Sequence, residues 1–389
     1  MKIFEIQETH IQINSNKLLS NDDFNNEVIM YVFTHSGVNQ DEIINVCEKL
    51  PYDKSKIILD FSLFDFPINF DDFIKIQEIS KNFFVISCNW RLSEYDNHAF
   101  FDPKIYKFSS EKYPFDSQVK SMSFIFEQNL GYIKPKKFIN LTNHIRRERV
   151  QLLDKLYSYK TFGYISFPNP NEIKNEVLNY DESFGGWEST KKILENTIFK
   201  NDLPLRFDFK KSENSDGETI NDVYYLRDNS LKKDKLVNVG LEFNYGMYLS
   251  SYLDIFSETF YSKRWEDGVY SNGLIHSSEK TLNPLWAHLP LTCLDSKDKL
   301  LYMKKYGFSF ESPLHTPMKI DSMYPSDEKT LEFSKFILNI LDKDVEEIHD
   351  IYLDDYQEFQ HNFQIMTTKL TNTFVKQKIK LWLENTYQH

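Results

Sequence analysis

Alanine is almost missing from this chain: Ala99 and Ala287 are the two alanines in 389 residues, while Lys, Asn, Asp, Ile, Phe and Tyr are heavily used. A bias of this kind reflects codon usage in an AT-rich genome and says little about folding. Cysteine is nearly as scarce. Cys47, Cys88 and Cys293 lie far apart and form no Cys-x-x-Cys pair, which excludes a disulfide framework and a thiolate zinc site and fits a reducing compartment. Positive charge is in deficit, with 46 Lys and Arg against 58 Asp and Glu and a net charge of -12. That excludes a broad basic nucleic-acid surface and leaves room for a local cationic pocket. No apolar run approaches the roughly 18 residues of a membrane span. The start, Met1-Lys2-Ile3-Phe4-Glu5, lacks the apolar stretch of a secretory signal, so the expected location is the cytoplasm. Internal repeats, low-complexity tracts, Gly-rich phosphate loops, the His-Glu-x-x-His zinc motif and the Gly-x-Ser-x-Gly nucleophile turn are absent too.

What is present is material for cores. Hydrophobic residues make up 41% and aromatics 16%, which excludes a disordered chain, and the length predicts two domains at roughly 100–200 residues each. Short apolar runs at Val28 to Phe33, Lys56 to Phe61 and Phe83 to Cys88 alternate with helix-like segments at Ile43 to Leu50 and Asp71 to Ser80. Continuous apolar strands separated by helices predict βαβ units and a parallel sheet. The pattern restarts after Lys134-Pro135-Lys136-Lys137 with a strand at Phe138 to Leu141, a helix at Arg146 to Tyr157 and a strand at Phe162 to Phe167. A polar stretch over about 180 to 235 reads as an irregular insertion. Strands return at Tyr252 to Glu258 and Leu289 to Leu294, with helices at Ser278 to Ala287 and Lys297 to Tyr306, the latter stopped by Gly307. The tail from Glu346 to Thr386 is helical throughout.

Two segments carry candidate chemistry. In His276-Ser277-Ser278-Glu279-Lys280-Thr281, Ser278 is a good N-cap and Glu279 suits a first turn. Lys280 opposes the helix dipole unless an anion sits there, held by N–H groups and ammonium together. A carboxylate beside it suits the two hydroxyls of a ribose. The plain alternative is a capped helix with a surface Glu–Lys pair. The second segment, Asn140 to Arg149, lies between a strand and a helix, where open α/β sheets bind ligands. It carries three arginines (Arg146, Arg147, Arg149) able to grip a diphosphate; its plain alternative is a solvated basic turn.

These segments, in this order, resemble the fucosyltransferase-like glycosyltransferases of GT-B architecture, including a branch common in phages and large viruses. The resemblance rests on Phe138 to Leu153, Ser257-Glu258-Thr259, Ser278-Glu279-Lys280-Thr281, Pro284, Leu289 to Leu294 and Lys304 to Phe308, and spans residues 135–345. It implies an α/β fold of two Rossmann-like domains facing a cleft: an acceptor domain over 1–133, a nucleotide-sugar domain over 134–365, and a C-terminal helix over 366–389 crossing back to the first. It also implies that Arg149 and Lys280 hold the diphosphate with Arg146 in support, that Glu279 takes the ribose, and that Glu258 lies near the donor sugar. His276 falls where the family has a tyrosine against the nucleotide.

The nucleotide sugar is then a co-substrate, and no resident cofactor or metal is implied. Asp342-Lys343-Asp344, the sole Asp-x-Asp, ends a predicted helix instead of following a strand. For an inverting reaction the candidate bases are Asp60 and Asp65, at and after the end of a predicted strand, with Glu94, Asp96 and His98 as rivals. The acceptor is a glycan or, through the phage branch, hydroxymethylated cytosine in DNA. For the latter the lysines at 134–137 and Arg146-Arg147 offer basic clusters. Trp90, Trp265, Tyr270 and Trp286 are candidates for stacking against an acceptor, with core packing the commoner use of such residues. A silent nucleotide- or glycan-binding module and an unrelated two-domain α/β enzyme are the competing readings.

Overall fold

The apolar runs become strands of two mostly parallel sheets, and the amphipathic segments between them become helices. The computed structural model describes residues 2–7, 10–13, 28–33, 43–53, 55–61, 68, 70–101, 115–142, 145–168, 186–205, 211–213, 219–221, 245–258, 275 and 279–386. The first sheet contains β1 (Lys2–Gln7), β2 (His10–Ile13), β3 (Val28–Phe33), β4 (Lys56–Asp60), β5 (Phe83–Ser87) and β6 (His98–Phe100) in the order β2-β1-β3-β4-β5-β6. β1 and β2 pair antiparallel at the edge, ahead of the first strand that the sequence predicts. All other neighbours are parallel.

From β3 to β6 the chain always steps the same way across this sheet. Right-handed crossovers then fall on a single face. There α1 (Ile43–Glu48) and α2 (Phe70–Ile79) bury Tyr31, Phe33, Ile57, Leu59, Phe83 and Val85. The period-2 alternation of the strands sends Val28, Met30, Val32, Ile58, Phe84 and Ile86 to the other face. The last helix of the chain, α13 (Asn372–Thr386), covers it with Val375, Ile379, Trp382 and Leu383, an i, i+4, i+7, i+8 stripe.

The second sheet contains β7 (Lys136–Leu141), β8 (Gly163–Ser166), β11 (Ser251–Ser257) and β12 (Leu291–Leu294), all parallel, in the order β12-β11-β7-β8. A short antiparallel ribbon, β9 (Lys211–Glu213) with β10 (Thr219–Asn221), comes between β8 and β11 in sequence. β8 must begin on glycine, because a Cβ at Gly163 would lie 2.3 Å from the Phe138 ring. The flanking helices are α4 (Arg147–Leu156), α5 (Gly186–Glu195), α6 (Tyr245–Leu249), α7 (Glu279–Trp286), α8 (Lys299–Tyr306), α9 (Met318–Asp321), α10 (Asp327–Leu341), α11 (Val345–Asp354) and α12 (Tyr356–Lys369). Gly307 ends α8 at φ 113°, the left-handed cap that its position predicts.

Two helices depart from the sequence reading. The polar stretch over 180–235 is not irregular throughout, since α5 buries Thr190 and Leu194 and packs on α4. Ahead of the second sheet, α3 (Phe115–Gln128) carries Phe115, Val119, Met122 and Phe126 at helical spacing. Its buried residues share one core with Trp90, Phe100 and the second sheet, so the two lobes meet through apolar packing. Trp90 stacks on Phe100 at 3.8 Å between ring centres and meets Tyr306 and Phe308 edge-on at 5.6 and 5.7 Å. The three cysteines are buried thiols, none in a disulfide. No described helix is long and apolar enough to cross a membrane.

Candidate functional site

The second sheet reverses its winding at β7. The chain passes from β7 to β8 on one side and later returns to β11 and β12 on the other. The connections that leave the carboxyl ends of β7 and β11 therefore diverge, and in open α/β sheets ligands enter at such a point. Asn140 fastens the two strands there, its Nδ2 donating to Ile255 O at 2.7 Å. Past β7, Arg146 is the N-cap of α4 in extended conformation, with no side-chain cap bond. The arginines after it separate in role. Arg147 ties α4 to its neighbours, donating to Asp327 at 3.1 Å and to the Ser189 hydroxyl at 3.0 Å. Arg149 is 4% exposed and reaches across to β11, where Nη2 donates to Ser257 O at 3.1 Å. The Ser257 hydroxyl in turn donates to Glu148 Oε1 at 3.2 Å.

The acid that follows β11 is committed inward. Glu258 is 2% exposed and accepts from the Thr281 hydroxyl and, at 3.2 Å, from Lys299 Nζ. Lys299, fully buried in the first turn of α8, also pairs with Asp295, the acid that follows β12, and bonds the Thr281 hydroxyl at 2.6 Å. Burial opposes the Lys299 charge, but the Asp295 and Glu258 carboxylates outweigh it and hold this lysine above its ordinary range. Burial pushes Asp295 up to about 6, against the pull of Lys299. A second buried lysine, Lys329 on α10, bonds the carbonyls of Asp295 at 2.8 Å, Met323 at 3.0 Å and Asp321 at 3.1 Å. The Asp321 carboxylate receives Leu300 N at 3.1 Å and Leu301 N at 3.3 Å, closing the start of α8. Glu258, expected beside the donor sugar, is thus a strut between the ends of β11 and β12.

The helix start predicted at Ser278 is observed as α7 from Glu279. His276 and Ser278 lie outside the described residues, as do Asp65, Trp265 and Tyr270, and of Glu279 only the backbone is described. Lys280 is half-buried in the first turn of α7. Its charge reaches Asp254 in the middle of β11. Burial raises the Asp254 carboxyl to about 7, while the Tyr248 hydroxyl (2.6 Å) and the Lys280 charge favour its ionised form.

In the first lobe, Asp60 ends β4, 2% exposed, on the same face as Ile58, the face covered by α13. Among its rivals, Glu94 pairs with Lys305 of the second lobe at 2.7 Å. His98 is fully buried, with Nε2 bonded to Ser87 Oγ at 2.9 Å. Burial, and after it the Lys378 charge, hold it well below the ordinary histidine value. His98 is therefore a neutral core residue. The turn after β5 joins the lobes: Trp90 N donates to Ile275 O at 2.8 Å, and Ile275 N donates to Asn89 Oδ1 at 3.1 Å. Asn89 Nδ2 also holds Ile68 O, past the end of β4, at 2.9 Å. Ile275 leads into α7, so connections from the carboxyl side of both sheets touch.

One further sequence expectation changes. The lysines at 134–137 are not a solvent-facing basic patch. Lys134 is buried, bonding Ser251 O at 2.9 Å over the Tyr352 ring, and Lys137 is buried against Leu341 O at 2.8 Å. Trp90 and Trp286 are fully buried core residues. Asp342 is bonded by Tyr159, at the helix end that Lys137 of β7 reaches from the amino edge of the sheet.

Glu148, Asn89, Asp295, Lys299 and Lys329 carry this edge and were not singled out in the sequence. Asp295 does follow an apolar run, with Lys299 four residues on. Comparison with protein-family models, with characterised proteins and with solved structures finds no match to this chain.

Proposed function

We propose that the chain is a glycosyltransferase of GT-B type, which moves a sugar from a nucleotide-sugar donor to a hydroxyl acceptor. The donor lies at the carboxyl edge of the second sheet and the acceptor enters from the first lobe. The observation that carries the reading is Arg149, a buried guanidinium that spans the divergence between β7 and β11. In this reading the diphosphate lies against Arg149 and the start of α4, with Lys280 at the start of α7 as its second cation. As the bond from the anomeric carbon to the diphosphate breaks, its electron pair goes to the phosphate oxygen. Arg149 and Lys280 stabilise that charge, the task a metal performs in other transferases. The acceptor oxygen attacks the anomeric carbon and its proton passes to a base, for which Asp60 and Asp65 are the candidates. Burial of Lys134 and Lys137 and the net charge of -12 favour an acceptor other than DNA.

The test is calorimetric titration and thermal shift with UDP-glucose, GDP-mannose, ADP-glucose and CMP-sialic acid, together with release of free nucleotide. One donor is expected to bind and to be consumed. Arg149→Ala and Lys280→Ala are each expected to weaken it roughly 10- to 100-fold, the worth of a charge-assisted hydrogen bond. Absence of binding by the wild type, or equal affinity in both variants, sinks the reading.

A further inference from the structure

The buried acids at the carboxyl edge of the second sheet are answered within the protein, with one exception. Glu258 and Asp295 share Lys299, and Asp321 accepts two helix N–H groups. Glu148 is 1% exposed, and its carboxylate has a single hydrogen-bond partner, the Ser257 hydroxyl on Oε1. Oε2 is buried with no hydrogen-bond partner among the described residues. A buried carboxylate oxygen without a donor is strongly disfavoured, and such an orphan calls for a donor from a bound molecule. Its position restricts which molecule. Ser257 binds Glu148 through its hydroxyl and Arg149 through its carbonyl, so the unanswered carboxylate stands next to the buried guanidinium at the end of β11. A second anion at Oε2 would be repelled, whereas a neutral hydroxyl on a molecule whose phosphates lie toward Arg149 satisfies Oε2 without adding charge beside it.

We infer that Glu148 is a donor-binding residue whose Oε2 accepts a hydrogen bond from a hydroxyl of the sugar nucleotide, on its ribose or on the sugar to be transferred. This rests on the donor-site reading above and adds to it a residue that selects for a hydroxylated ligand.

The experiment compares wild type, Glu148→Gln, Glu148→Asp and Arg149→Ala by calorimetric titration. The probes are whichever of UDP-glucose, GDP-mannose, ADP-glucose and CMP-sialic acid the wild type binds, and the matching nucleotide without its sugar. Glu148→Gln is expected to bind the sugar nucleotide roughly 10- to 100-fold more weakly, the worth of a hydrogen bond to a charged group. Its ligand-free melting midpoint is expected to stay or rise, because a buried carboxylate oxygen without a donor is removed. An equal loss for the sugar-free nucleotide assigns the hydroxyl to the ribose. A loss confined to the sugar nucleotide assigns it to the transferred sugar. Should Glu148→Gln fail to fold, Glu148→Asp keeps the charge and withdraws it by one methylene, with the same loss expected. Wild-type affinity in a folded Glu148 variant, with Arg149→Ala still impaired, overturns the role of Glu148 and leaves the donor site standing. A wild type that binds none of the four overturns both.

Discussion

The two sheets solve the same burial problem in different ways, and the difference follows from winding. In the first, the chain steps in one direction from β3 to β6. All crossovers fall on one face, no reversal opens a crevice, and the uncovered face needs a helix from the far end of the chain. In the second, the winding reverses at β7, and two strand ends diverge. Buried charge gathers at that edge: Lys299, Lys329, Glu258, Asp295, Arg149 and Glu148. The first sheet is a platform held by apolar packing. The second maintains a polar edge at the cost of desolvating ions, a cost that makes sense at a ligand site.

The largest effect is expected from removing the cover of the first sheet. Each buried apolar side chain of the α13 stripe contributes about 1.5–3 kcal/mol. Val375, Ile379 and Trp382 together therefore rival the ~5–15 kcal/mol by which a whole domain is stable. In a chain ending at Thr371, amide hydrogen exchange should show protection lost in β3 to β6 and retained in β7, β11 and β12. Protected amides in β3 to β6 would break the comparison on its first side.

The second side is tested at Lys299. Lys299→Met leaves Glu258 and Asp295 buried without their cation and is expected to cost about 3–5 kcal/mol in urea unfolding. Combining it with Glu258→Gln and Asp295→Asn should recover most of the loss. A single-variant cost below about 1 kcal/mol, the worth of an exposed pair, would mean that the network does not hold the strand ends.

A slope with pH is expected at the junction of the lobes. Lys134, between α3 and β7, is buried with Tyr252, Tyr352, His288 and His349 about it, and burial lowers it from the ordinary 10.5 to about 7. Between those values the unfolded chain holds a proton that the folded chain has released, so this lysine makes stability rise with pH from about 7 to 10.5. Thermal unfolding across that window should show the rise in the wild type and lose it in Lys134→Met. The same slope in both proteins would place the proton release elsewhere.

Much of the fold was legible because strands buried on both faces are continuous apolar runs. Val28 to Phe33, Phe83 to Cys88 and Tyr252 to Glu258 announce themselves in this way, and each is a strand to within a residue or so. The helix α5 was hidden in a polar stretch, since it buries one narrow side against α4. The place of Arg149 at the carboxyl edge of the second sheet was legible, because it opens the helix that follows a predicted strand. Lys299 was not, because Asp295-Ser296-Lys297-Asp298-Lys299 spells a solvated turn, and only the packing of α8, α9 and α10 over it removes the water. The lysines at 134–137 were misleading for the same reason. A charge pattern looks alike whether water or the rings of Tyr252 and Tyr352 surround it.

The sequence by itself determined β3 to β5 and the strands of the second sheet, most of the helices, the lack of disulfides and the acidic balance, because these depend on spacing and composition along the chain. Tertiary structure alone decided the direction in which each sheet is wound, which lysines are buried, which face of the first sheet α13 covers, and that Glu148 keeps an oxygen unanswered. Those properties depend on which distant segments exclude water from one another, and neighbours along the chain do not encode that exclusion.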